Sequence, residues 1–253
     1  GQGQEAHVRR RYSVLAQPWT GPARSGSVLF LFGGHMASPI AFDPETHQYT
    51  TPDGTVIPSV TQRITDAGLL GSAAKFYSPE SAARGTAIHQ ACADRDHGLD
   101  VSVFAKGEHG GYLTSYIKWC DAIQPIWTSI ETPRYSAKHG TAGTADRVGT
   151  FADGQPLVLD LKSGGRAGWH SVQLAFYDLL HDDLPPRTRR RIVLYLRANG
   201  RMAQSVEFSS PYDYTVALKM CAPSQETPDA HNHTDSADSH ADGDDGPPST
   251  SGD

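Results

Sequence analysis

The chain has 253 residues, of which 38% are hydrophobic and 20% are charged. That composition supplies enough apolar side chains for one substantial core, and domain sizes favour one folded domain with tails over two complete domains. The three cysteines are widely spaced and form no CxxC pair. This pattern excludes a zinc ribbon, an iron–sulfur cluster and a disulfide framework, and it fits a reduced, cytoplasmic setting.

The formal net charge of −6 is unevenly distributed along the chain. Residues 222–253 carry eight acidic residues and no Lys or Arg, so residues 1–221 hold 20 acids against 22 bases. Net charge therefore neither favours nor excludes a nucleic-acid partner. Residues 222–253 also lack large apolar side chains, which predicts an acidic, disordered tail.

The first 36 residues differ in character from the rest of the chain. Gly33-Gly34-His35-Met36 resembles a cloning junction, so we expect residues 1–36 to be vector-derived or disordered, with a native extension as the alternative. The longest apolar run, Val28 to Phe32, is too short to span a bilayer. We therefore expect a folded domain over residues 37–221, in the cytoplasm and without a membrane partner.

Hydrophobic periodicity and turn signals divide this domain into helices and strands. The predicted elements are, in chain order, a β-hairpin over 41–58, helices over 59–68, 78–96 and about 111–127, strands over 130–137, 142–151 and 157–162, a helix over 169–181, a strand pair over 191–197 and 202–208, and a helix over 212–220. Ser78 and Pro79 mark one helix start, and Asn199-Gly200 is a strong hairpin signal. The order predicts an α/β fold.

The stretch from Val158 to Gly164 carries an acid and a lysine two positions apart, Asp160 and Lys162. On a strand both side chains point to one face, while Leu159 and Leu161 point to the other. A carboxylate can hold Mg²⁺, and a neighbouring ammonium can orient water and offset charge developing on phosphorus. The pair therefore suits metal-assisted phosphodiester hydrolysis, with a surface ion pair as the alternative.

A second acid, Asp146, lies on the preceding predicted strand among small residues. Adjacent antiparallel strands lie about 4.8 Å apart, so the carboxylates of Asp146 and Asp160 can reach one cation. Mg²⁺ favours one or two carboxylates completed by waters and phosphate oxygens. A solvated turn residue is the other interpretation of Asp146.

These residues belong to a longer series of short motifs. They are Arg84-Gly85-Thr86 followed by His89, then Glu131, then Gly143-Thr144 followed by Asp146, then Asp160 with Lys162, then Gln173 with Tyr177. The series resembles the RecB-like branch of the PD-(D/E)XK nucleases, which includes CRISPR-associated exonucleases, the mitochondrial genome maintenance exonuclease and phage exonucleases. The resemblance covers about residues 40–210. It implies a restriction-endonuclease-like core with a central mixed β-sheet flanked by helices.

The resemblance also implies a role for each matching position. Asp146 and Asp160 would ligate Mg²⁺ or Mn²⁺ together with His89 and the backbone carbonyl of Leu161. Lys162 would be the catalytic lysine. Without the resemblance, a lone histidine on a helix is more often structural or solvated than a metal ligand.

Four further positions would complete the implied site. Gln173 and Tyr177, four residues apart on one helix face, would contact the scissile phosphate or position Lys162. Arg84 would contact a phosphate, and Glu131 would assist metal binding as in lambda-type exonucleases. A helix-surface hydrogen bond, a half-buried ring and an exposed arginine are the structural alternatives for the first three.

Two features depart from the family pattern. Many relatives carry four cysteines for an iron–sulfur cluster, which this chain cannot form. Its second acid is Asp where many relatives have Glu, a change that shortens the reach without removing the charge. The basic run at residues 187–191 is open to two interpretations, a DNA-backbone contact or a solvated loop.

The resemblance and the residues together predict a Mg²⁺-dependent DNA nuclease, a phage exonuclease acting in DNA recombination, repair or replication. DNA is the expected partner, with a phage recombinase or a single-strand-binding protein as further partners. One alternative is a catalytically inactive nucleic-acid-binding module of the same fold, and another is a phosphodiesterase acting on RNA or nucleotides. An intact acid–acid–lysine set disfavours the inactive module, because two neighbouring carboxylates repel each other unless a cation lies between them.

Overall fold

The computed structural model of the chain describes residues 39–71 and 78–221. The N-terminal segment 1–36 and the acidic tail 222–253, both predicted above from composition, lie outside these residues. Among the helices that are described, none has the length and apolar character that crossing a bilayer requires.

A small antiparallel sheet forms at the start of the described region. Its strands, in the order β1-β2-β3, are Ala41–Asp43, Gln48–Thr50 and Val56–Ile57. Gly54 has a φ of +88° in the turn between β2 and β3, which is the conformation that the Pro-Asp-Gly turn requires. The predicted β-strand pairing over 41–58 is confirmed, with the third strand as an addition.

The main sheet contains five strands in chain order. They are β4 (Ile126–Ser136), β5 (Thr141–Thr150), β6 (Pro156–Lys162), β7 (Arg190–Tyr195) and β8 (Gln204–Phe208). Only the β6–β7 pair is parallel, while β4–β5, β5–β6 and β7–β8 are antiparallel. The sheet is therefore mixed, as predicted. Its one parallel pair brings the carboxyl ends of β6 and β7 to the same edge.

Helices cover both faces of this sheet. They are α1 (Val60–Asp66), α2 (Pro79–Asp96), α3 (Ser102–Lys106), α4 (Gly110–Ile123), α5 (His170–Leu180) and α6 (Tyr212–Cys221). Alternate residues of β6 face opposite sides: Leu159 and Leu161 pack against α2 and α4, whereas Val158 packs with α1, α5 and α6. The architecture is an α/β fold with a mixed sheet between two helical layers.

Local chemistry accounts for most of the helix boundaries. The Ser78 side chain accepts a hydrogen bond from the Ser81 N–H, Pro79 occupies the first helical turn, and Gly98 with a φ of +75° follows the helix end. The helix predicted over about 111–127 is present as α4 but is shorter than its apolar spacing indicates. Helix α4 ends at Ile123 because Pro125 disfavours helical backbone at the residue before it, and β4 begins at Ile126.

The connection between β7 and β8 is longer than the predicted two-residue turn. Gly200 does form a turn, with a φ of +68° and its N–H donating to the Arg197 carbonyl at 3.1 Å. However, the Leu196 N–H donates to the Lys162 carbonyl at 2.8 Å, and the Ala203 N–H donates to the Ser115 carbonyl at 3.2 Å. The chain beyond β7 therefore pairs with other elements before β8 begins.

Candidate metal centre

Three side chains that can ligate a metal converge from α2, β4 and β5. His89 Nδ1 lies 3.3 Å from Asp146 Oδ1 and 3.8 Å from Glu131 Oε1. One ligand atom from each residue lies within 4.8 Å of the other two. The strand register explains why Glu131 and Asp146 are close together: the pairs Ile130–Arg147 and Thr132–Ala145 place them opposite each other on β4 and β5.

Glu131 has an unusual backbone conformation for a strand residue. Its φ is +46°, in the left-handed region that a residue with a Cβ adopts at a cost of about 1–3 kcal/mol. Its carboxylate accepts a hydrogen bond from the Arg147 guanidinium at 3.1 Å. Backbone conformations of this kind persist where the surroundings hold them, and they concentrate at functional sites.

The Asp146 carboxylate is buried and held from two sides. Asp146 is 6% exposed, and its Oδ2 accepts a hydrogen bond from the Leu161 N–H at 2.5 Å. Burial alone would raise the pKa of this carboxyl, but the charges of His89 and Lys162 and the bond from Leu161 outweigh burial and hold that pKa below its usual range. Asp146 is therefore ionised at neutral pH.

His89 is oriented by a backbone carbonyl. Its Nε2 donates to the Leu161 carbonyl at 3.0 Å, so Nδ1 faces the two carboxylates. Burial lowers the pKa of His89, but Asp146 and Glu131 more than offset burial and raise that pKa to about 10. In the absence of a metal, the imidazolium supplies the positive charge that lets the two carboxylates lie close together.

The donor set fits a divalent cation. When His89 is neutral, its Nε2–H donates to the Leu161 carbonyl and its Nδ1 lone pair is available to a metal. Histidines that bind metals usually donate their other ring N–H to a carbonyl or carboxylate in this way. Carboxylate oxygens suit Mg²⁺ and Mn²⁺, while an imidazole nitrogen favours Mn²⁺ over Mg²⁺. This set of possible ligands therefore suits Mn²⁺ better than Mg²⁺.

Asp160 and Lys162 form a second group beside this cluster. The β5–β6 pairing runs up to Arg147 and Leu159, so Asp146 and Asp160 are the next residues on their strands. Asp160 is 2% exposed, and Lys162 Nζ lies 2.7 Å from its Oδ2. Burial raises the pKa of Asp160 to about 6, against the opposing charge of Lys162 and with the added repulsion of Asp146.

Helix α5 fixes the position of the lysine ammonium. Lys162 Nζ donates to Gln173 Oε1 at 3.0 Å, and Gln173 Nε2 donates to the Tyr177 hydroxyl at 3.0 Å. The ammonium also lies 5.3 Å from the centre of the Trp169 ring. Gln173 and Tyr177 thus share a helix face that is directed at Lys162, as their spacing predicts.

The structure brings together most of the predicted site residues, but their contacts differ from those that the resemblance implies. The acid beside His89 and Asp146 is Glu131, which the sequence offered only as an accessory, whereas Asp160 contacts Lys162. The carbonyl of Leu161, expected as a metal ligand, contacts His89. Arg84 is not part of either group: it is half-buried on α2, and its buried Nε has no hydrogen-bond acceptor among the described residues.

Sequence reasoning missed a buried charged network next to the cluster. Arg147 is fully buried, and its Nε donates to Asp96 Oδ2 at 2.6 Å. The Tyr116 hydroxyl donates to the same oxygen at 2.5 Å. The sequence did contain a signal for this network: Arg147 is a charged residue at a strand position that faces the apolar layer of α2 and α4, where a charge needs a buried partner. The network connects Glu131, through Arg147, to the helices of that layer.

The basic run at residues 187–191 is neither a wholly solvated loop nor a continuous basic stripe. Arg189 and Arg191 are both buried. Arg189 donates to Asp178 Oδ1 at 3.1 Å, and Arg191 donates to Asp213 Oδ2 at 2.9 Å. These two arginines connect β7 and the segment before it to α5 and α6.

A comparison with protein-family models found no match for this chain, and a comparison with curated proteins found no significant match. The function is therefore inferred from the geometry of the side chains and from the motifs they form. The grouping of His89, Glu131 and Asp146 beside Asp160 and Lys162 is the feature that a function must explain.

Proposed function

We propose that the chain is a divalent-metal-dependent nuclease of the RecB-like PD-(D/E)XK type, which hydrolyses phosphodiester bonds in DNA. The observation that carries the proposal is the convergence of His89, Glu131 and Asp146 within 4.8 Å. The ammonium of Lys162 is held beside this cluster by Asp160 and α5. From the motif series we extend the proposal to a phage exonuclease acting in recombination, repair or replication, in the cytoplasm, with a recombinase or single-strand-binding protein as partner.

The metal would be held by the His89 imidazole and the Glu131 and Asp146 carboxylates, with Asp160 as a further oxygen donor on the neighbouring strand. When bound, a divalent cation polarises a phosphodiester and favours deprotonation of water. Burial of Asp146 and Asp160 strengthens every charge interaction at this place, because little water is present to screen it. The site therefore offers a cation two buried carboxylates, with His89 and Glu131 on its more exposed side.

Lys162 would supply the positive charge that the transition state needs. Its ammonium is bounded by the Asp160 carboxylate at 2.7 Å and the Gln173 amide oxygen at 3.0 Å, which restrict its motion. A donor fixed in this way can orient an attacking water and stabilise negative charge developing on the phosphoryl oxygens without reorganising. Gln173 and Tyr177 are positioning residues in this scheme, since they act through Lys162.

Replacing Lys162 with methionine should reduce DNA cleavage by about 10²- to 10³-fold, the usual effect of removing one preorganised electrostatic donor. The experiment incubates end-labelled single- and double-stranded DNA with Mg²⁺ or Mn²⁺ and compares initial rates. Methionine keeps an unbranched stem against Trp169 but leaves the buried Asp160 carboxyl without its ammonium partner, so thermal unfolding of the variant is measured beside its cleavage rate.

Lys138→Met is the matched control, because Lys138 is an exposed lysine in the turn between β4 and β5. The wild type and this control should cleave DNA, and EDTA should stop both. Equal rates for Lys162→Met and wild type would refute the role of the lysine. Absence of cleavage by purified wild type with either metal would favour the nucleic-acid-binding module instead.

A further inference from the structure

An open cleft of about 400 Å³ lies at the edge of the sheet where β6 and β7 end. Because these two strands are parallel, the segments that leave them form its two walls. One wall contains Gly164, Gly165 and Arg166, and the other runs from Tyr195 to Asn199. A cleft of this volume is at the small end of the range that proteins use for small ligands, and it admits a group the size of one nucleotide.

The cleft is positively charged and rich in amide groups. Its lining carries two guanidinium groups, those of Arg166 and Arg197, and no carboxylate. Both arginines are exposed, and the Arg166 guanidinium lies 5.4 Å from the centre of the Tyr195 ring. Asn199 and Gln204 add side-chain amides that both donate and accept hydrogen bonds. Arginines are suited to phosphate groups, and amides are suited to the edges of bases.

The cleft directly adjoins the lysine of the proposed catalytic site. Tyr195, in its lining, is paired in register with Lys162 across β6 and β7. Leu196, also in the lining, donates its N–H to the Lys162 carbonyl at 2.8 Å. A ligand in the cleft would therefore lie beside the residue that is proposed to face the scissile phosphate.

We infer that this cleft is a nucleotide subsite, which holds the phosphate and base of the nucleotide next to the bond that is cut. The inference rests on the proposed function, because a nucleotide beside Lys162 serves cleavage only if the metal cluster cleaves nucleic acid. Arg166 and Arg197 would bind the phosphate, and Asn199 and Gln204 would contact the base. Such a subsite would let the free enzyme bind a nucleoside monophosphate even when no metal is present.

The two glycines in the wall provide a steric probe of the same cleft. A Cβ built at Gly164 or Gly165 meets no protein atom within 4 Å, and neither residue is among those with positive φ. Alanine is therefore compatible with the fold at both positions. Gly165→Ala should therefore add a methyl group at the lining of the cleft without lowering thermal stability, and a loss of nucleotide affinity in this variant would place the nucleotide against this wall.

Calorimetric titration of the full chain with deoxyadenosine monophosphate in EDTA tests the inference. We expect saturable binding that is weakened roughly tenfold by Arg166→Gln and by Arg197→Gln, the usual effect of losing one charge-assisted hydrogen bond. Deoxyadenosine and inorganic phosphate, each lacking half of the contacts, should bind more weakly than the monophosphate. Arg190→Gln is the matched control, because Arg190 lies at the opposite end of β7 and pairs with Glu207 at the surface.

Cleavage by the same protein preparations separates the two proposals. Cleavage of DNA with no saturable binding of the monophosphate overturns the subsite and leaves the nuclease standing. Equal affinity of the wild type, Arg166→Gln and Arg197→Gln also overturns the subsite. Saturable binding that both variants weaken, in a protein that does not cut DNA, supports a nucleotide cleft and refutes the nuclease.

Discussion

Asp146→Asn is expected to reduce metal-dependent DNA cleavage by about a thousandfold, because it removes a full negative charge from the centre of the proposed metal site. Asp146 contacts His89 on one side and the strand that carries Lys162 on the other. Its Oδ1 lies 3.3 Å from His89 Nδ1, and its Oδ2 accepts a hydrogen bond from the Leu161 N–H. Removing its charge therefore weakens cation binding and alters the field at Lys162. Initial rates on end-labelled DNA, measured over a range of Mn²⁺ concentrations, give both effects.

The fold of this variant should be preserved, since an asparagine oxygen can still accept the bond from Leu161. Asp153→Asn is the matched control, because Asp153 is an exposed aspartate in the turn between β5 and β6. The control should retain wild-type rates. Full cleavage by Asp146→Asn at low Mn²⁺ would place the metal elsewhere, and unfolding of the variant would show that Asp146 is mainly structural.

Arg147→Met is expected to lower the free energy of unfolding by roughly 3–5 kcal/mol, the range for removing one partner of a buried ion pair. The Arg147 and Asp96 side chains are both fully buried, 2.6 Å apart. Methionine leaves Asp96 with Arg95 and the Tyr116 hydroxyl as neighbours, in a place where water cannot replace the lost guanidinium. Urea denaturation monitored by tryptophan fluorescence measures the change.

The double variant Asp96→Asn with Arg147→Met provides the internal control for this effect. Because part of the penalty comes from a buried Asp96 charge that only Arg95 still balances, removing that charge as well should restore part of the lost stability. A loss below about 1 kcal/mol for Arg147→Met would mean that the pair is solvated and of little value. Strictly additive effects in the double variant would show that the two side chains do not interact.

The order of helices and strands was predictable from the sequence because most of their boundaries are set by local chemistry. Ser78 with Pro79 begins one helix, and the alternation around Asp160 defines a strand with two distinct faces. The two boundary errors have different causes, one local and one long-range. Helix α4 is shorter than its apolar spacing suggested because Pro125 stops it, and β8 begins late because Leu196 and Ala203 pair with other elements.

The candidate site was predictable in its members and only partly in its arrangement. A strand pattern gives the face of Asp160 and Lys162, and a helix pattern gives the shared face of Gln173 and Tyr177. Neither pattern gives the left-handed backbone that accompanies Glu131 at the cluster. Nor does any local pattern reveal that Arg147 pairs with an acid 51 positions earlier in the chain.

Crystals grown with MnCl₂ and measured at the manganese absorption edge would locate the cation itself. We expect an anomalous peak bonded to His89 Nδ1 and to carboxylate oxygens of Glu131 and Asp146, and we expect the peak to vanish in Asp146→Asn. The contradicting result is Mn²⁺ bound only at other positions, with no metal between His89, Glu131 and Asp146. That result would argue against a metal-dependent nuclease at this site.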